Sequence, residues 1–255
     1  MWTPLEQFEI ISLISLKMFN FDFSITNLLV VFSLIILTIN TAFPLTSKYS
    51  TNLKEYSFFF VPNSWQFFME TIFETVLRLL FDNLNQRGEM FFPFISIIFL
   101  FITICNLIGL IPYSFTVTSQ LIITFTMSFS IFIGINIVGC KLHKQKLISL
   151  FMPANTSFLL ALILVPIEFV SYAAKPISLG VRLFINLMAG HTLLKVIVGF
   201  SWSMLALENI LTFIHIVPLI ILVILMGLEL AVAIIQAYVF TILTCIYLND
   251  SINLH

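Results

Sequence analysis

Two stretches of this chain, residues 158–200 and 209–248, are apolar almost from end to end, yet both carry ionisable side chains far from their ends. As a single helix each would be about 60 Å long, roughly twice the ~30 Å hydrocarbon core of a bilayer. No turn-forming cluster divides either run, so the pattern predicts two long, steeply tilted membrane helices joined as a hairpin through residues 201–208. Composition agrees with a lipid solvent. The chain is 60% hydrophobic and 9% charged, whereas a soluble domain carries about 25% charged residues.

Shorter apolar runs of about 20 residues, the length of one membrane crossing, lie at residues 23–43, 91–111 and 121–140. Residues 1–22 form an N-terminal segment, with neither an Arg-rich transit pattern nor a signal-peptide core. Between the first two spans, residues 64–84 place Glu70, Glu74, Arg78 and Asp82 four apart among Phe, Ile, Val and Leu. That spacing predicts an amphipathic helix lying on the membrane surface. The expected fold is therefore an all-α integral membrane protein, a single membrane domain of about five helices plus one surface helix.

Basic residues orient such a chain. Lys48, Lys54, Arg78 and Arg87 precede the second span, and Lys141, Lys144 and Lys146 follow the third; with five passages both groups fall on one side. The other side has Lys17 alone, which puts the N-terminus outside and the C-terminus inside. A net charge of −1 and no basic stripe argue against a nucleic-acid partner. Cys105, Cys140 and Cys245 lie far apart, without metal or redox spacing, and read as inert buried thiols. The four histidines, His143, His191, His215 and His255, do not make the paired-helix pattern of a membrane haem protein. No metal or cofactor is expected. The 29 phenylalanines reflect an A+T-rich coding bias, a pointer to an organelle genome.

Charge inside a membrane helix marks function, because a central Arg costs about 3 kcal/mol even on insertion scales. Arg182 lies some two dozen residues into its run, too deep to snorkel. At 100° per residue, Glu168, Lys175, Arg182 and Asn186 fall within an arc of roughly 40°, a polar stripe that must face water or a polar partner. Fourteen residues, ~21 Å along the axis, separate Glu168 from Arg182, so the two cannot pair. Pro176 is expected to bend the run beside Lys175. In the last segment His215, Glu229 and Gln236 share one side at spacings of fourteen and seven. Glu229 and His191 are membrane groups of the kind that carry protons.

The stretch from Ser178 through Leu179, Gly180, Val181, Arg182 and Asn186 to Gly190-His191 resembles the signature of the F-type ATP synthase a subunit, of mitochondrial type. So do Asn106-Leu107-Ile108-Gly109-Leu110-Ile111-Pro112-Tyr113, Gly227-Leu228-Glu229-Leu230, Ile235-Gln236-Ala237-Tyr238 and Tyr247-Leu248-Asn249-Asp250. The likeness implies two long helices hugging a rotating ring of c subunits, with Arg182 as the arginine that faces the ring carboxylate. It matches Asn186 and Gln236 to polar residues beside that arginine. His191 and Glu229 match a pair lining a half-channel from the outer side, and Glu168 a carboxylate of the inner half-channel. It gives Lys175 no role. The implied function is proton conduction coupled to rotation and ATP synthesis in the mitochondrial inner membrane. This is a non-catalytic role, with the c ring, peripheral-stalk and other Fo subunits and lipid, cardiolipin included, as partners. The alternatives are a proton-coupled transporter or respiratory-complex subunit, which spreads its charges over broken helices, and a structural scaffold, which has no use for Arg182, Glu168 and Glu229 in hydrocarbon.

Overall fold

A computed structural model describes residues 6–18, 21–47, 64–111, 114–143, 158–205 and 216–253. Among the described residues six α-helices carry the fold: α1 (Asn27–Ser47), α2 (Ser64–Leu84), α3 (Phe92–Gly109), α4 (Leu121–His143), α5 (Phe158–Leu205) and α6 (Ile216–Ile252). Four of them are long and apolar enough to cross a membrane: α4, α5, α6, and α3 with the turn before it. At 21 residues, α1 rises ~31 Å and also reaches across the core. The chain is an all-α integral membrane protein with about five membrane helices.

α5 has 48 residues and stays helical through both Pro166 and Pro176, and α6 has 37. Their lengths of about 72 and 56 Å exceed the bilayer core, so neither can stand upright within it. The predicted bend at residues 201–208 shifts, since α5 continues to Leu205; residues 206–215, His215 among them, lie outside the described residues, as does His255.

α5 runs antiparallel to both of its neighbours. Toward α4, Gly180 lies against Ser128 and the Thr124 carbonyl, and the Tyr172 hydroxyl bonds to Asn136. Toward α6, Asn186 meets Gln236 and Lys175 meets Asp250. α4 and α6 therefore end on the same side, where His143, the last residue of α4, donates from Nε2 to the Ile252 carbonyl at 2.7 Å. One apolar core joins Val76, Leu80 and Leu84 of α2 to Ile95 and Ile102 of α3, Leu179 and Leu183 of α5, and Phe240 and Leu248 of α6. α2 thus buries its apolar stripe on protein, while Glu70, Glu74, Arg78 and Asp82 stay exposed and Arg78 pairs with Glu74 at 2.7 Å.

The N-terminal segment departs from the all-helical expectation. Ser12–Ile14 (β1) pairs antiparallel with Ile25–Thr26 (β4), and Lys17–Met18 (β2) with Phe21–Asp22 (β3). The first membrane helix consequently starts at Asn27, not residue 23. β-branched Ile25 and Thr26 serve the strand, and the Thr26 hydroxyl then accepts the Leu29 N–H at 3.4 Å as a helix cap. Asn27 fastens the junction, accepting from the Ile11 N–H and donating to the Glu9 carbonyl. Cys105 and Cys245 are buried, but Cys140 is exposed, contrary to its reading as a buried thiol. It falls on the outer face of the last turns of α4.

At Gly180 a Cβ would stand 2.8 Å from Ser128 Oγ and 3.1 Å from the Thr124 carbonyl oxygen. Gly180→Ala should wedge α4 from α5 and destabilise the chain by about 1–3 kcal/mol, read as a lowered Tm of the purified complex.

Candidate functional site

Leu179, Leu183 and Leu187 recur every four residues on α5 and are buried, which fixes how the helix is rotated. At 100° per residue Asn186 lies roughly 60° from Leu183, and Arg182 roughly 100°. The leucine face enters the core, Asn186 stands at its flank against α6, and Arg182 is turned outward. Asn186 Nδ2 donates to Gln236 Oε1 at 2.7 Å, and Gln236 is itself buried. Arg182 is exposed and within electrostatic reach of the Tyr247 phenol. Among the described residues it makes no ion pair, the two found being Arg78–Glu74 and Lys175–Asp250.

One turn beyond Asn186, Gly190 lies on the leucine side of α5 and faces Glu229. A Cβ there would sit 2.6 Å from Glu229 Oε1, so only glycine lets the carboxylate lie against the α5 backbone. Gly109, at the end of α3, similarly admits Thr116, whose Cγ2 a Cβ there would meet at 3.0 Å. These approaches enclose a cavity of about 20 Å³, lined by Asn106, Asn186, His191, Glu229 and Gln236 with Leu110, Leu187, Val232 and Ala233. That volume holds about one water molecule. Asn106 donates to the Ala233 carbonyl at 3.1 Å, while its Oδ1, His191 Nε2 and Glu229 Oε2 are buried without a protein partner. Unpartnered acceptors and donors around a water-sized space are what a proton relay requires, because water bridging them satisfies all three.

Four of the six candidate residues thus converge: Asn186, Gln236, His191 and Glu229. Glu229, Val232, Ala233 and Gln236 line the cavity from one side of α6, in keeping with the seven-residue spacing. On an ideal wheel His191 points away from the Arg182 stripe, yet it lines the same cavity as Asn186. Arg182 stands outside the cavity, one helical turn before Asn186. Glu168 lies apart, exposed and without a partner among the described residues. Asn106 joins the site unforeseen; the signal for it was an amide inside an otherwise apolar span. The ring of Phe8, from the N-terminal segment, meets His191 edge-on at 6.5 Å, and the Phe8 carbonyl accepts from Gln120 Nε2 at 2.7 Å.

The sequence model of the family described as ATP synthase A chain matches residues 27–249. Proteins named ATP synthase subunit a are similar over the full length. The one from Chondrus crispus is 45% identical over 255 residues, covering 99% of this chain and 97% of its own. That of Pylaiella littoralis is 49% identical over 253 residues, with 99% of both chains covered. That of Marchantia polymorpha is 47% identical over 260 residues, again with 99% of both.

Removing Asn186 leaves the buried Gln236 amide unpaired. Asn186→Ala should cost about 1–3 kcal/mol, and adding Gln236→Leu should recover part of it, since two apolar groups leave nothing unsatisfied. Thermal unfolding of the single and double variants measures both.

Proposed function

This chain belongs to the ATP synthase A chain family, and on that footing we propose that it is the non-catalytic subunit that carries protons through the membrane sector. In this reading the protons use two offset half-channels and exchange with a carboxylate on each c subunit of a ring that turns against α5 and α6. The observation that carries the proposal is Arg182: a guanidinium on a membrane helix, exposed, with no counter-ion among the described residues of its own chain. A cation so placed is tolerable only against an anion from outside.

The chemistry follows from the charge. Arginine stays protonated in any protein environment, whereas a lysine at that place could shed its proton. As a protonated ring carboxyl reaches Arg182, the fixed positive charge favours the carboxylate, and the proton leaves through the inner half-channel past Glu168. The ring turns, and the carboxylate regains a proton delivered from the outer side through the cavity of His191 and Glu229. Asn186 and Gln236, bonded to each other, separate that cavity from the guanidinium. The same charge repels a free proton, which blocks a leak between the two paths. A potential of 100 mV supplies about 2.3 kcal/mol for each proton crossing. The N-terminus lies on the outer side and the C-terminus inside, in the mitochondrial inner membrane.

In inner-membrane vesicles, Arg182→Ala and Arg182→Lys should each abolish ATP-driven proton pumping while the complex still assembles; a variant that pumps at the normal rate refutes the proposal. Gly190→Ala should push the Glu229 carboxylate aside and slow passive proton flow through the membrane sector about tenfold or more. Shortening the acid with Glu229→Asp in the same chain should restore part of that flow.

A further inference from the structure

Lys175 precedes Arg182 by seven residues on α5, an offset of about −20° around the helix and ~10.5 Å along it. Both cations therefore belong to one face. An arrangement that draws a moving carboxylate to a single place cannot tolerate a second attractor of equal charge ~10 Å along the same face. Lys195, the remaining cation of α5, lies about 140° around the helix from Arg182 and is no such competitor.

Lys175 differs from Arg182 in its surroundings. Its Nζ is 3.0 Å from Asp250 Oδ2, on the last turns of α6. It also stands over two aromatic faces, 5.4 Å from the Tyr172 ring centroid and 5.0 Å from that of Tyr247. The Tyr172 hydroxyl is held in turn by Asn136 of α4. A carboxylate and two ring faces cover the ammonium, Tyr172 from α5 itself and Asp250 and Tyr247 from α6, and its side chain is 28% exposed. Tyr247 is a neighbour of both cations, its ring beneath the Lys175 ammonium and its phenol within electrostatic reach of Arg182.

We infer that Asp250, together with the Tyr172 and Tyr247 rings, masks the charge of Lys175 so that Arg182 is the free cation its face presents to a passing carboxylate. Asp250 is then a specificity-determining residue for the ion exchange. It acts by cancelling a neighbour, and its value depends on that neighbour being charged. This inference rests on the proposed role of Arg182.

A mask and a mere clamp between α5 and α6 predict different double-variant behaviour. In assembled synthase in inner-membrane vesicles, Asp250→Asn should unmask Lys175 and slow proton-driven ATP synthesis about tenfold, the effect of a modest stray attraction on a barrier. Lys175→Met should leave the rate within about twofold of normal. The double variant Lys175→Met/Asp250→Asn should return to the Lys175→Met rate, because no charge is left to hide. The inference is overturned if Lys175→Met is as damaging as Asp250→Asn, or if the double variant stays as slow as Asp250→Asn alone. An immunoblot of the assembled complex normalises each rate. Arg182→Ala, run in parallel, separates the two readings: pumping that survives it removes the ring mechanism itself, whereas loss of pumping without double-variant rescue removes only the mask.

Discussion

Hydrocarbon offers no hydrogen-bond partner and no dielectric to soften a charge, so every polar group within it must be met by protein, by enclosed water or by a neighbouring subunit. The polar side chains of α5 and α6 can be sorted by which of these meets them. Asn186 is met by Gln236, Asn106 by the Ala233 carbonyl and Lys175 by Asp250. His191 and Glu229 keep buried atoms free beside a water-sized cavity. Arg182 and Glu168 are left over among the described residues, and both lie exposed.

Close approach of helices makes this sorting possible. Gly180 brings α5 onto α4, while Gly190 admits the Glu229 carboxylate and Gly109 the Thr116 side chain. Packing between membrane helices rests on such small residues, since lipid is as apolar as the helix surfaces and supplies no hydrophobic drive to pair them. The leucines at 179, 183 and 187 set the rotation of α5, and that rotation sends the guanidinium out and the asparagine to the flank. One helix thereby packs by its leucine face and presents a guanidinium on another.

Several features were not legible in the residue pattern. The N-terminal strands are two or three residues each, too short for a period-two alternation to register, and they move the start of α1 to Asn27. Cys140 lies in the same apolar run as buried positions, but its side of α4 faces outward. Lys175 has a partner 75 residues away on another helix, which no local spacing can show. Asn106 was one amide in an apolar span, and its place at the cavity depends on where α3 ends relative to Ala233.

What the sequence by itself determined is what periodicity and cost determine. Runs too long and too apolar for water dictate membrane helices, and an arginine too deep to reach an interface dictates a polar face within the membrane, because both follow from free energies of single side chains in lipid. Which polar groups meet was decided only by tertiary structure. The bond of Asn186 to Gln236, the cavity shared by His191 and Glu229, and the covering of Lys175 all depend on the register and rotation of antiparallel helices. A slide of one turn, about 5.4 Å, would leave every span in place and separate each of these pairs.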